Sequence, residues 1–553
     1  MRFQIIVPPS LSTEGIIHNH PPYGAMYIAS SLLEEGHEVC IENGDIERFD
    51  YAQLCDRIKK FSPDILGFST PVFTYYKYVK EASISIKNEF PNLKIVLGGG
   101  LSAAAESVLN NTKVDIIVAG EGDITIKELA TRIERKEPYH DINGIVFKEG
   151  ENIIKTQKRM PIINLDTLKY PAFDLVDMEK YLIDVKDFVT TFPSYKNPDK
   201  RLFESHRSKK MLRFPISRGC INACSFCYRH MRGLRHFSFK YTFDYIEYLM
   251  EKFGINIFSF GDECFAPNKE WNWKFLEELE KRKLNIMFQI LGTKVETVDS
   301  DILRAYKKAG CFMIEYGFES GSQKILDIME KRTTAGLNVE VAKWTKEAGL
   351  FTMPAFVLGM PGETTETIRE TINLLKEINY GSGWYQYTYA FPVPGTPLYD
   401  FAKVAGLITN DDEYLESIYN VKTTDYIYTK TFINFTSEPF DVVIGWPKLI
   451  DDALLKYYSQ NKVIYFLKRY SKAMYNSLKK DGVRRTLFKL WDFAVRFKKR
   501  LIPKSAAKKY ISLAGNRHLD LAYKLMAEKK SGLTLRQIIK HMQEETPTGE
   551  TVK

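Results

Sequence analysis

The sequence is poor in cysteine, with seven in 553 residues, and three of those fall within one eight-residue stretch. Thiols so few and so grouped exclude a disulfide-stapled secreted scaffold and point to a reducing compartment, where clustered cysteines bind metal. Also missing is any uninterrupted apolar run of the roughly 18–20 residues that a membrane-crossing helix needs. The short apolar stretch near Met1 is not followed by a small-residue cleavage site, so it reads as a first β-strand and the expected location is cytoplasmic. There is no internal repeat and no extended low-complexity tract. What remains is globular in composition, 44% hydrophobic and 27% charged with a net charge of +9. A chain of this length has material for two or three domains.

The first stretch alternates strands (Phe3–Val7, Glu38–Glu42, Ile65–Ser69, Lys94–Leu97, Val114–Ala119) with segments of helical spacing. That pattern predicts a Rossmann-like, doubly wound parallel sheet over residues 1–140. Its ligand site belongs at the carboxyl ends of the strands. Those ends carry Ser69-Thr70, Gly98-Gly99-Gly100 and Gly120-Glu121-Gly122-Asp123. Residues 141–208 read as a hairpin around Glu149–Asn152 and a polar connector. A second series of six strands begins at Arg213–Ser217 and ends at Trp384–Ala390, which suits a partial (β/α)6 TIM-type barrel over 209–425. Chemistry in such barrels sits at the strand carboxyl ends. The segment 426–553 reads as mainly helical, basic and aromatic.

Directly after the first barrel strand comes Ser217-Arg218-Gly219-Cys220-Ile221-Asn222-Ala223-Cys224-Ser225-Phe226-Cys227-Tyr228. Three thiolates at C-x3-C-x2-C can hold three irons of a [4Fe-4S] cubane and leave the fourth open to a substrate. A structural zinc with His230 completing a Cys3His set is the plainer alternative, but zinc sites pair two ligand couplets and no second couplet is present. Cys264 and Cys311 read as buried, inert thiols.

The spacing, the aromatic before the last cysteine, and the place after strand one resemble the radical SAM superfamily, whose open iron is chelated by S-adenosylmethionine (SAM). The resemblance implies reductive cleavage of SAM to a 5′-deoxyadenosyl radical. It extends to the other strand ends, where Gly261-Asp262-Glu263 is similar to the family's contact to the SAM amino group. Lys294 corresponds to a basic residue near the SAM carboxylate. Glu319 and Ser320 match the ribose segment, with Glu319 able to accept from both hydroxyls, and Gly359 begins the adenine-side turn. Each of these is also ordinary strand-end turn chemistry.

A doubly wound domain ahead of this barrel resembles the cobalamin-binding radical SAM class, over about residues 1–420. The resemblance assigns Ser69, Thr70, Gly98, Gly99, Gly120, Glu121 and Gly122 to the corrinoid. The Asp-x-His-x-x-Gly signature that supplies a histidine to cobalt is missing, and His18 and His20 stand in the wrong context for it. A Rossmann-like domain that merely docks on the barrel is the bland alternative. Between Phe466 and Tyr510 about fifteen Lys and Arg are interleaved with aromatic residues, against two acids. Such a face fits a solvated helical cap, an anionic membrane surface or, less well, nucleic acid.

The sequence thus implies a cobalamin-dependent radical SAM enzyme, with C-methylation of an unactivated carbon as the leading reaction. Its partners would be a small-molecule or lipid-linked substrate and an electron donor such as flavodoxin or ferredoxin. Peripheral membrane contact would run through the basic helices. A cyclase, rearrangement or oxidation without methyl transfer, a methylthiotransferase, and a non-enzymatic cofactor sensor are the rivals. The methylthiotransferase needs a second cluster, for which Cys40 and Cys55 are too few.

Overall fold

A computed structural model describes residues 1–9, 20–191, 198–379, 385–419, 431–458, 517–528 and 532–544. Two seven-stranded sheets organise it. The first contains β1 (Arg2–Val7), β2 (Glu38–Asn43), β3 (Ile65–Thr70), β4 (Lys94–Gly99), β5 (Ile116–Val118), β6 (Ile145–Glu149) and β7 (Asn152–Lys155). Their order is β2-β1-β3-β4-β5-β6-β7. β1 to β5 are parallel, and residues such as Ile6, Leu66, Ile95 and Ile117 are fully buried because helices cover both faces. The winding order reverses at β1, which has β2 on one side and β3 on the other, and this is where a ligand crevice opens in such sheets. The hairpin expected around Glu149–Asn152 is there, but it is no separate unit. β6 pairs antiparallel with β5, so the sheet is mixed and runs on to Lys155.

The second sheet contains β8 (Ile183–Asp184), β9 (Lys210–Phe214), β12 (Ile257–Phe260), β13 (Met287–Thr293), β14 (Cys311–Glu319), β15 (Ala355–Leu358) and β16 (Gln386–Tyr389). β9 and β12 to β16 are the six parallel strands of a partial barrel, and β8 adds an antiparallel edge. The first barrel strand ends three residues earlier than Ser217. Pro215 has no N–H for the ladder, and Ser217–Arg218 instead forms β10, paired antiparallel with β11 (Arg235–His236). That small ribbon encloses the cysteine loop.

Side chains two apart along a strand share a face, which layers the barrel interior. At the floor, Met211, Ile257, Met287 and Met313 form one apolar cluster, closed from below by Val185, Phe188 and Leu202 of the connector. One step up, Arg213, Ser259 and Gln289 form a polar layer. Arg213 Nε and Gln289 Nε2 both donate to Ser259 Oγ, at 3.3 and 2.7 Å. Glu315 stands at the same level, its carboxyl raised by burial and opposed by the Arg213 charge. Above this layer lie the strand ends and the site. Helix Leu535–Glu544 packs on Pro397–Val404 and on helix Arg517–Glu528, whose Met526 lies beside Gly362 at the mouth. The basic segment 466–510 lies outside the described residues. Among the described residues no helix is long and apolar enough to cross a membrane.

Candidate functional site

The cysteine loop begins with a forced backbone turn. Gly219 has φ +83°, and a Cβ there would lie 2.2 Å from the Gly233 carbonyl, so no other residue fits. Beyond it the loop is pinned at its centre. Ser225 N donates to Met329 O at 2.8 Å, Ser225 Oγ to Ile328 O at 3.1 Å, and Leu398 N to Ser225 O at 2.9 Å. Arg536, from the C-terminal helix, donates to Ala223 O at 3.1 Å and pairs with Glu330. Cys224 is buried, Cys220 half-buried and Cys227 exposed. Asn222 N donates to Cys220 Sγ at 3.4 Å. The neighbouring Cys264 thiol pulls the Cys220 ionisation below the usual thiol range. Both neighbours favour the thiolate that binds iron.

Among the described residues, no three or more His, Cys, Asp or Glu side chains converge on one ion-sized point. His230 is turned to the wall of the cavity described below, its ring edge-on to Tyr228 at 5.1 Å.

The barrel mouth is acidic and partly uncompensated. Burial pushes the Asp262 and Glu263 carboxyls each up to about 7. Glu319 stands in the left-handed region at φ +61° and pairs with Lys331 Nζ at 2.7 Å. Burial opposes the Lys331 charge, but Glu319 and the nearby Cys224 and Cys227 together hold the ammonium on. Ser320 is buried and accepts from Ser322 N at 3.1 Å. Lys294 Nζ lies 3.8 Å from Glu296. Gly359 N donates to the buried Glu363, whose carboxyl burial raises to about 8.

The two halves meet around one cavity of about 370 Å³. From the first sheet come Ser69, Gly98, Gly99, Gly120, Glu121 and Gly122; from the barrel side come Ser217, Arg218, Gly219, Gly261, Asp262 and Glu263. Thr70 is not on this wall; it is fully buried and donates to Gly98 O at 2.7 Å. A Cβ placed on Gly24 or Gly98 would meet nothing nearer than 3.9 Å and would take up cavity space, so the missing side chains leave room for a broad, flat ligand. The halves are locked by buried charges. Arg218 binds Asp123 in a bidentate fork at 2.7 and 3.0 Å. Arg235 binds Glu121 in another, both arms at 2.9 Å. Glu121 also accepts from Ile162 N at 2.8 Å, so its carboxylate is committed to the protein and only its place on the wall faces the cavity.

Five polar residues of this region escaped the sequence reading. Arg213, Gln289 and Glu315 carried a readable signal, a polar residue in the middle of an otherwise apolar buried strand. Tyr27 and Lys331 carried none, since their positions depend on packing between distant segments.

A Rossmann-type sheet facing a partial barrel, with a C-x3-C-x2-C loop on the barrel's first strand, defines a radical SAM protein with a corrinoid domain. Residues 214–375 match the model of the radical SAM superfamily, and residues 16–130 match that of the B12 binding domain. The chain therefore belongs to the radical SAM superfamily in its cobalamin-binding class, with a [4Fe-4S] cluster, SAM and cobalamin as cofactors. It is 27% identical over 475 residues to an uncharacterized methyltransferase of Pyrococcus horikoshii, covering 84% of this chain and 94% of that one. It is also 27% identical over 410 residues to an anaerobic magnesium-protoporphyrin IX monomethyl ester cyclase of Cereibacter sphaeroides, covering 71% and 63%. Among solved structures, the radical SAM methyltransferase TsrM of Kitasatospora setae aligns with a TM-score of 0.59 at 15% identity, over 98% of both chains. The cobalamin-dependent enzyme OxsB aligns with a TM-score of 0.59 at 15% identity, over 100% of this chain and 84% of that one. At that identity the likeness speaks for the fold.

Proposed function

We propose that this radical SAM enzyme transfers a methyl group to an unactivated carbon. The observation that carries the reading is the single cavity lined jointly by the glycine-rich ends of the first sheet and by the loop that leads into Cys220. When bound, the three cofactors would supply reductive cleavage of SAM and a transferable methyl group. The protein's own part is placement. Cys220, Cys224 and Cys227 would hold the cluster, with Ser225 fixing the loop between them. Glu263 on the Gly261–Glu263 turn, Lys294, Glu319, Ser320 and Gly359 would take the amino, carboxylate, ribose and adenine parts of SAM. Ser69, Gly98, Gly99, Gly120 and Gly122 would lie under the corrinoid, and the Arg218–Asp123 and Arg235–Glu121 pairs hold the first sheet against the cysteine loop. The apolar floor closes the far end of the barrel to water, which protects a reactive intermediate.

The test is an anaerobic assay of the reconstituted full chain. Methyl transfer requires 5′-deoxyadenosine and S-adenosylhomocysteine to appear together. Deoxyadenosine alone favours a cyclase or oxidation, a reading supported by the cyclase relatives. A methylthiotransferase is disfavoured by Cys40 on β2 and Cys55 in the helix Tyr51–Phe61, which offer no third thiol for a second cluster. A small-molecule or lipid-linked substrate, an external one-electron donor and a cytoplasmic location accompany this reading.

A further inference from the structure

We propose that Tyr27 and Asp262 form a carboxamide-binding pair that grips one of the primary amide side chains on the rim of a corrin ring. The assignment rests on the corrinoid reading above and adds to it the two side chains that would orient the ring.

Two buried polar atoms in the cavity wall lack a partner. Tyr27 is 5% exposed, and its hydroxyl has no hydrogen-bond partner in the protein. Asp262 is 6% exposed, and its Oδ2 has none either. Both residues line the same cavity, one from the first domain and one from the barrel. Buried polar groups are nearly always satisfied, so two orphans in one wall mark the place of a ligand.

Both are also held rigidly. The Arg218 guanidinium lies over the Tyr27 ring at 4.8 Å, and Phe237 stacks on it at 6.4 Å. Asp262 Oδ1 accepts from Ser217 Oγ at 2.6 Å and from Ile216 N at 2.9 Å, which leaves Oδ2 as the oxygen free to bind. The pair offers one O–H donor and one carboxylate acceptor. A primary carboxamide presents the complement from one planar group, its C=O to Tyr27 and its N–H to Asp262. A lone hydroxyl does not present a carbonyl and an N–H side by side. A corrin rim carries several such amides. A substrate amide is the other source of this chemistry, and the experiment separates the two.

The measurement is anaerobic absorbance titration of the full-length protein with hydroxocobalamin and with cobinamide, which keeps the rim amides and lacks the nucleotide tail. Tyr27→Phe keeps the ring beneath Arg218 and should weaken both corrinoids by the same factor, about fivefold for one lost hydrogen bond. Asp262→Asn turns the acceptor into a donor and should weaken both by about tenfold or more. Bound iron and the thermal melt of each variant report whether the fold and cluster loop survive. Unchanged corrinoid affinity in a folded Tyr27→Phe protein overturns the proposal, and a change in turnover alone would assign the amide to the substrate. If the wild type binds neither corrinoid, the corrinoid reading itself falls and takes this assignment with it.

Discussion

The floor and the mouth of the barrel are built from the same six strands, yet they differ in nearly every physical respect. At the floor, Met211, Ile257, Met287 and Met313 interlock with Phe188, Phe312 and Phe351, and all are buried. The charge that closes it, Asp199, is 7% exposed and fully engaged, bonded to Arg201 at 2.8 Å and to Lys307 Nζ at 2.7 Å. At the mouth, Asp262, Glu363 and Thr293 each keep a buried oxygen without a partner, and Glu319 sits in a strained backbone region. The floor is chiefly apolar packing, whereas the mouth gathers acidic groups that a bound ligand would complete. Mutations should therefore separate the two ends cleanly.

The largest separation should come from Cys224→Ala. Iron content, visible iron–sulfur absorbance and deoxyadenosine production should all fall to background, while the thermal melt of the cluster-free chain stays near that of cluster-free wild type. A substantial residual cluster would remove Cys224 from the ligand set. Met287→Ala should do the reverse. Met287 is fully buried at the floor, and emptying its place should cost about 3 kcal/mol of stability, read by denaturant unfolding. Iron and SAM stoichiometry of the folded fraction should not change. A loss of SAM binding at unchanged stability would mean that the floor belongs to the site.

Asp199→Asn sharpens the contrast through pH. Burial alone would raise this carboxyl, but the Arg201 and Lys307 bonds override it and hold it at about 2, against 3.8 ordinarily. A carboxyl depressed in the folded state stabilises the fold above its ordinary value and loses that contribution as pH falls toward the depressed one. The contribution is about 2 kcal/mol at neutral pH. The gap in melting between wild type and variant should therefore be full at pH 7, narrow below about pH 4, and nearly close toward pH 2. A gap that stayed constant with pH would show that Asp199 acts through packing and not through charge.

How much of this was legible beforehand follows from what each feature depends on. The parallel strands and the cysteine loop were readable because strand alternation, Gly219 and the thiol spacing are local. The end of β9 at Phe214 was missed although Pro215 announces it, since the apolar pattern runs on to Ile216. The joining of β6 to β5 was not legible, because pairing between strands some thirty residues apart is decided by packing. For the same reason Glu121 reads as a ligand residue in its glycine turn. Its bond to Arg235, 114 positions away, exists only after folding.

The smallest expected effect tests whether the mouth's spare room is itself functional. Gly317 points to the interior of β14, and a Cβ there would lie 2.2 Å from Glu319 Oε1 and 3.0 Å from Lys331 Nζ. Gly317→Ala should therefore swing Glu319 off its lysine without touching the floor. Both of those groups are flexible side-chain ends, so the fold can absorb the change. The ribose contact proposed for Glu319 cannot, because a carboxylate moved by an ångström no longer meets two hydroxyls at once. SAM affinity, measured by equilibrium dialysis with the cluster loaded, should weaken by about tenfold, or 1.4 kcal/mol. The melting temperature should move by much less than in Met287→Ala. Unchanged SAM affinity would show that Glu319 and Lys331 pair for structure alone, and the ribose would then have to be held by other groups at the mouth.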